Sequence, residues 1–301
     1  MTRRRWWLIG VTAALVVAAV IGVVIWQTAS RPATAEDAVV AYLRALASGD
    51  AAAVEATRME VSATALDAFT AASELIEDPE VTSVREVTPG EATADVSFTL
   101  GEEERTAELA LERVDGRWIV DPSALGTMTA TAAIGSFVGI GAATFAVGEA
   151  TSLLPAEYAV TAAPSSILDG KSTLLVLPGE SAEITVDATL GPEATDAAQQ
   201  QLDEHLEACT APASTMPDTC GIRIPWGTEF RAVSDIRYRI EQTPSIALTA
   251  DAFMAAGGVL VATVTGTGQD GSARTTTYRT EDWGLRGDVR FTEDGLTLSV
   301  W

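Results

Sequence analysis

The stretch Glu91-Ala92-Thr93-Ala94-Asp95-Val96-Ser97-Phe98-Thr99-Leu100 changes character at every residue. Ala92, Ala94, Val96, Phe98 and Leu100 point one way; Glu91, Thr93, Asp95, Ser97 and Thr99 point the other. A period of two over ten residues is the pattern of a strand with one face buried and one in water. Glu104 to Val114 repeats it, with Ala107, Leu109 and Leu111 on the inward side. Glu102-Glu103-Glu104 between them reads as a charged hairpin tip. Asp115-Gly116 then supplies a two-residue hairpin turn into Arg117-Trp118-Ile119-Val120-Asp121.

Upstream the period is helical. Thr34-Ala35-Glu36-Asp37 is a capping-box-like helix start. Val39, Leu43 and Leu46 follow at i, i+4 and i+7 with Tyr42 beside them, so one stripe of the helix is apolar. Gly49 ends this helix, and Asp50 caps a short successor running to about Arg58. Ser62 caps a third helix, bearing Leu66, Phe69 and Ile76 and stopped by Asp78-Pro79. Three helices followed by an antiparallel meander predict an α+β domain over residues 35–123, with the helices on one sheet face.

Ala35-Glu36-Asp37-Ala38-Val39-Val40-Ala41-Tyr42-Leu43, Ser48-Gly49-Asp50 and the closing Asp115-Gly116-Arg117-Trp118-Ile119-Val120-Asp121 resemble a nuclear-transport-factor-2-like domain. The resemblance covers roughly residues 33–123. It implies a curved sheet wrapped around a long helix as a cone, with a pocket that some relatives use for isomerase or dehydratase chemistry and many use only for binding. The enzymatic members place an Asp, His or Tyr set inside the cone. This stretch has no histidine, and its one tyrosine, Tyr42, lies on the apolar stripe, where it reads as core. Asp67 beside Leu66 reads as a solvated neighbour.

Further toward the N-terminus, Trp6 to Trp26 is a 21-residue run without a charge. As a helix it is roughly 30 Å long, enough to cross the hydrocarbon core of a bilayer. Trp6, Trp7 and Trp26 mark its two ends as interfacial indoles, and Arg3, Arg4 and Arg5 flank one side. The expected arrangement is a cytoplasmic tail (1–5), a transmembrane helix (6–26), a linker (27–34) and the bulk of the chain outside the cell membrane, held to membrane lipid by one span. Ala33-Thr34-Ala35 also resembles a signal-peptide cleavage site, but the apolar run is longer than a signal's core and ends in a tryptophan. A second charge-free stretch, 122–148, is rich in Gly, Thr, Ser and Ala and reads as a domain junction leading into a buried strand.

Residues 124–301 read as a mostly antiparallel, β-sandwich-like region, one domain or two, with a helix near 193–209. Ala182–Leu190, Glu229–Glu241, Gly258–Thr265, Ala273–Thr280, Gly287–Phe291 and Leu296–Trp301 alternate or are β-branched, separated by Gly-rich turns. In Glu229–Glu241 the expected inward residues are Phe230, Ala232, Ile236, Tyr238 and Ile240. The two cysteines, Cys209 and Cys220, are expected to pair in an oxidising compartment, a closure worth about 3 kcal/mol in the chain-entropy model. Residues 130–301 and the anchored layout resemble membrane-anchored extracytoplasmic proteins of actinobacteria. Lys171 as the sole lysine and the lack of any asparagine agree with such a coding bias.

The formal net charge is −23, and with Arg3 to Arg5 ahead of the first acid at Glu36 the outer chain is more acidic still. A surface of that sign repels phosphate backbones, so nucleic acid is not an expected partner. The chemistry-bearing motifs are thin. Gly266-Thr267-Gly268-Gln269-Asp270-Gly271 spells a dinucleotide loop but runs into a strand rather than a helix, so it reads as a hairpin turn. Arg286-Gly287-Asp288 reads as a turn. His205 sits in Asp203-Glu204-His205-Leu206-Glu207, a solvated helix face with too few ligands for a metal. No catalytic, cofactor or metal residues are expected. Arg231, Arg237 and Arg239 share a strand face, a candidate strip for an anionic wall or lipid group, or an exposed face balanced by neighbouring acids. Two functions follow as expectations. One is a non-enzymatic module binding an envelope protein or cell-wall component; the other is small-molecule sensing or catalysis in an open cone pocket, which a filled cone interior would remove.

Overall fold

The computed structural model describes residues 34–211, 220–222 and 229–301. The expected transmembrane helix and its marker residues Arg3, Arg4, Arg5, Trp6, Trp7 and Trp26 lie outside them. Among the described residues no helix is long and apolar enough to cross a membrane. The chain is mixed α+β with mostly antiparallel sheets. The described residues divide into two compact units, the first taking residues 34–127 together with 152–157 and 175–181.

The first unit opens with α1 (Ala35–Ser48), α2 (Ala51–Thr57) and α3 (Ala63–Thr70). Each start follows from its cap. Thr34 accepts from the Asp37 amide while the Asp37 carboxylate accepts from the Thr34 amide, satisfying two orphan donors at once. Asp50 and Ser62 cap α2 and α3 through the amides of Ala52 and Ala65. Gly49 ends α1 in the left-handed region at φ 67°, a conformation glycine adopts without the Cβ penalty.

The four-stranded sheet that follows is an antiparallel meander in the order β1 (Glu77–Thr88), β2 (Glu91–Leu100), β3 (Glu103–Val114), β4 (Arg117–Val120). In β2 the inward set Ala92, Ala94, Val96, Phe98 and Leu100 is buried throughout. The Gly101-Glu102 and Asp115-Gly116 turns have positive φ at both residues, which suits the right-handed twist of the strands they join. β1 departs from the sequence reading. The third helix stops at Thr70, and Asp78-Pro79 lies inside an edge strand rather than at a helix end. Proline and a dense set of charges are what an edge strand tolerates, and they mask its alternation. Ile76 is buried in the approach to that strand, not on α3.

The charge-free stretch 122–148 forms a short 3₁₀ turn and the strands β5 (Gly126–Ala132), β6 (Phe137–Ile140) and β7 (Ala143–Ala146). The chain continues through β8 (Ala150–Leu153), β9 (Ala156–Ala163), β10 (Leu168–Asp169), β11 (Lys171–Val176), β12 (Ser181–Val186) and β13 (Thr189–Leu190). These build sandwich-like sheets in the orders β12-β5-β8 and β11-β9-β6-β7, with a β10-β13 ribbon.

Helix α4 (Ala194–Thr210) then buries Ala198, Leu202, Leu206 and Cys209 along one stripe. The last sheet comprises β14 (Phe230–Gln242), β15 (Ser245–Leu248), β16 (Ala252–Gly268), β17 (Ala273–Phe291) and β18 (Leu296–Val300). Its order is β14-β16-β17-β18, with β15 also on β16. Two glutamines of α4 join the helix to this sheet. Gln199 accepts from the Ile246 amide and donates to the Pro244 carbonyl. Gln201 accepts from the Leu298 amide and donates to the Leu296 carbonyl. A carboxamide offers one acceptor and two donors, so each satisfies strand groups that would otherwise stay open.

Two strand readings change here. β17 is one continuous strand, so Arg286-Gly287-Asp288 is paired on both sides, with Phe253 and Val300 opposite Gly287, and is no turn. Only glycine fits there, because a Cβ would lie 2.0 Å from the Ser299 carbonyl oxygen. The expected inward residues of β14 are not core: Ile236, Tyr238 and Ile240 stay half-buried and Ala232 is exposed.

Candidate functional site

The interior of the first unit is filled by side chains. Tyr42 and Leu46 from α1, Phe69 from α3, and Phe98, Leu100 and Leu109 from the sheet are all nearly inaccessible, and Trp118 is 7% exposed. The Tyr42 hydroxyl is buried without a hydrogen-bond partner among the described residues. Burial pushes its pKa well above the ordinary tyrosine value, since the phenolate would lose its hydration. Asp67 is exposed on α3 and does not enter this interior. No acid–base pair converges on Tyr42 among the described residues, so its ring acts as packing.

Two clefts of this unit lie beside β4, one of the two edge strands of its sheet. A groove of about 430 Å³ runs between that edge and the α1–α2 pair, floored by Ala38, Ala41, Ala45, Ala53 and Ala56. The small side chains leave the space. A second cleft of about 590 Å³, sharing Ile119, continues past Arg58, Glu60 and Arg117 to Pro122. Arg44 rims the first, and Arg58 and Arg117 the second. Among the described residues none of these three guanidinium groups makes an ion pair within 4 Å. Asp50, Glu112 and Asp115 share the rim, so the groove carries both signs. Sequence reading passes over this site because its floor is alanine, a residue with no motif. Its rim also draws on elements that only the fold brings together.

On β14 the expected cationic strip is interleaved with acids. Arg237 pairs with Asp235 at 3.0 Å, and Arg239 with Glu241 at 2.6 Å. The other oxygen of Glu241 takes Arg279 from β17 at 3.0 Å, and Arg279 also pairs with Glu281. Arg231 is exposed near the start of the strand. The β16–β17 part of this face carries threonines, with the Thr265 and Thr275 hydroxyls 3.2 Å apart. The ion pairs are exposed and each contributes little to stability.

Cys209 and Cys220 form a disulfide, with Cα atoms 5.7 Å apart. Cys209 ends the buried stripe of α4 and Cys220 is buried. His205, one turn before Cys209, is half-buried, with its Nε2 3.6 Å from the Cys209 sulfur. The solvated face expected around His205 is thus partly turned toward the cystine. Gly266–Gly271 leads into the β16–β17 hairpin turn, closed by Gly268 N–H donating to the Ser272 carbonyl.

No family model matches the chain, and neither a curated protein nor a solved structure is significantly similar to it.

Proposed function

We propose that this chain is a single-pass membrane protein whose extracytoplasmic part binds another component of the cell envelope without catalysing a reaction. Its α+β unit is read as a nuclear-transport-factor-2-like cone, followed by a β-sandwich-like region. The observation that carries the reading is where the space lies. The cone interior is occupied by Tyr42, Leu46, Phe69 and Phe98, while the open groove runs along the β4 edge on the unit's surface. A site for small-molecule chemistry brings a few polar groups together in a concave, mostly apolar pocket, and the filled interior offers none. An alanine-floored groove beside a free strand edge, with arginines at its rim, suits a protein or polymer segment laid along it. The charge-free run 6–26 with its arginine flank supports anchoring, and the disulfide supports an oxidising compartment.

The test is crosslinking in intact cells with a photoreactive residue at Ala41, followed by recovery from membranes. The expected result is one reproducible protein or wall component, lost when Arg44→Glu and Arg117→Glu are combined. Recovery of nothing above background across growth conditions, or recovery indifferent to the charge reversal, overturns the assignment. Protease added to intact cells tests topology: digestion of residues 34–301 without lysis is expected, and protection until lysis rules the outer location out.

A further inference from the structure

We propose that the Cys209–Cys220 cystine is the oxidised form of a metal site, in which two thiolates and His205 bind a borderline-soft divalent cation, zinc foremost. His205 and Cys209 stand four residues apart on α4, so they lie one above the other on the same face. The His205 nitrogen and the two sulfurs lie within 4.8 Å of one another. A tetrahedral zinc site has Zn–S of about 2.3 Å and Zn–N of about 2.0–2.1 Å, which puts neighbouring ligand atoms roughly 3.5–3.8 Å apart. The His205–Cys209 separation of 3.6 Å already has that value. Reduction frees the remaining movement, a widening of the two sulfurs.

Cys220 is held in place for this. Gly221 packs so closely that a Cβ would lie 2.6 Å from the Val300 side chain and 2.8 Å from that of Leu285, and Ile222 beside it is buried. Both cysteines are buried and His205 is half-buried. Two sulfurs and one imidazole, the ligand set among the described residues, select zinc-like cations over magnesium or calcium.

The chemistry balances with an external dithiol as reductant. The dithiol delivers two electrons and two protons to the S–S bond and becomes a disulfide itself; Cys209 and Cys220 become thiols. Binding the cation then releases both protons to solvent. The two states exclude one another because they use the same sulfurs. The chain between positions 209 and 220 stays closed in each, covalently in one and by coordination in the other.

The full-length chain in detergent, reduced anaerobically, is titrated with Co²⁺ as a spectroscopic stand-in for Zn²⁺. Expected are one equivalent bound, a thiolate-to-cobalt charge-transfer band with intense tetrahedral d–d absorption, and displacement by Zn²⁺. The oxidised chain gives none of these. His205→Ala is expected to weaken Zn²⁺ by more than the ~10–100-fold that loss of an outer-shell partner costs. Retention of the disulfide and helical signal in oxidised His205→Ala shows that the variant folds. Cys209→Ser abolishes the charge-transfer band. Absence of that band in the reduced wild type overturns the proposal, as does an unchanged Zn²⁺ affinity in His205→Ala. A reduced chain that loses structure and is not restored by Zn²⁺ overturns it equally.

Discussion

β2 in the first unit and β14 in the second carry the same alternation, and they end up in different environments. In β2 every second residue from Ala92 to Leu100 is buried. In β14 the equivalent residues Ile236, Tyr238 and Ile240 reach only half-burial. The difference is cover. The sheet that holds β2 packs against α1, and Tyr42 and Leu46 of α1 are buried with it, as is Phe69 of α3. β14 pairs with the buried Leu260, Ala262 and Val264 of β16 and lends them partial shelter, but among the described residues no strand pairs with its outer edge. Alternation assigns a side chain to a face; a second layer decides whether that face leaves water.

The largest effect that would break this contrast is a cavity. Phe98→Ala is expected to cost about 3–5 kcal/mol of the first unit's stability, whereas Ile240→Ala on β14 costs under about 1 kcal/mol, as only part of its surface is lost from cover. Hydrogen-exchange mass spectrometry reads the two separately: amides of β2 and β3 lose protection in Phe98→Ala while those of β14 do not. Equal losses would mean that β14 is as well covered as β2.

Tyr42 sharpens the same point through pH. Its folded-state pKa is raised by burial, so above the ordinary value of about 10 the unfolded chain releases a proton that the folded chain keeps. Stability from this group is whole below pH 10 and then falls by up to about 1.4 kcal/mol per pH unit until the folded pKa is reached. Tyr42→Phe is expected to flatten that alkaline limb in denaturant titrations at pH 9 to 11. At pH 7 it should be neutral or slightly stabilising, because the hydroxyl it removes has no partner. A marked loss of stability at pH 7 would show that the hydroxyl makes a bond after all.

Smaller still is the α1 cap. Thr34→Ala removes the side chain that accepts from the Asp37 amide and should cost about 1 kcal/mol, read as a lower denaturation midpoint. At the bottom lies the charged face of β14. Asp235→Asn leaves Arg237 in water and should change stability by no more than about 0.5 kcal/mol. A larger loss would mean that the ion-pair row from Asp235 to Glu281 acts as a network.

The legible parts of the molecule are the local ones. The caps at Thr34, Asp50 and Ser62, the stop at Gly49, the hairpin at Asp115-Gly116, the alternation of β2 and the helix ending near Cys209 are set by interactions within a few residues. Each can therefore be read from its own stretch. β1 escapes that reading because an edge strand carrying Pro79 and many charges has no buried face to betray it. Arg286-Gly287-Asp288 misleads for the converse reason. Its glycine serves a close strand–strand approach rather than a turn, and the neighbours that require it, Phe253 and Ser299, come from distant sequence.

The candidate sites follow the same division. Cys209 and Cys220 can be paired on paper because the chain holds only these two cysteines. What tertiary structure alone decides is that His205 turns toward the sulfur of Cys209, that alanines of α1 and α2 floor a groove along β4, and that the acids of β14 and β17 neutralise Arg237, Arg239 and Arg279. Propensity, capping and alternation act over one or two turns of chain, whereas cover, closure and charge pairing depend on which distant segments share a volume.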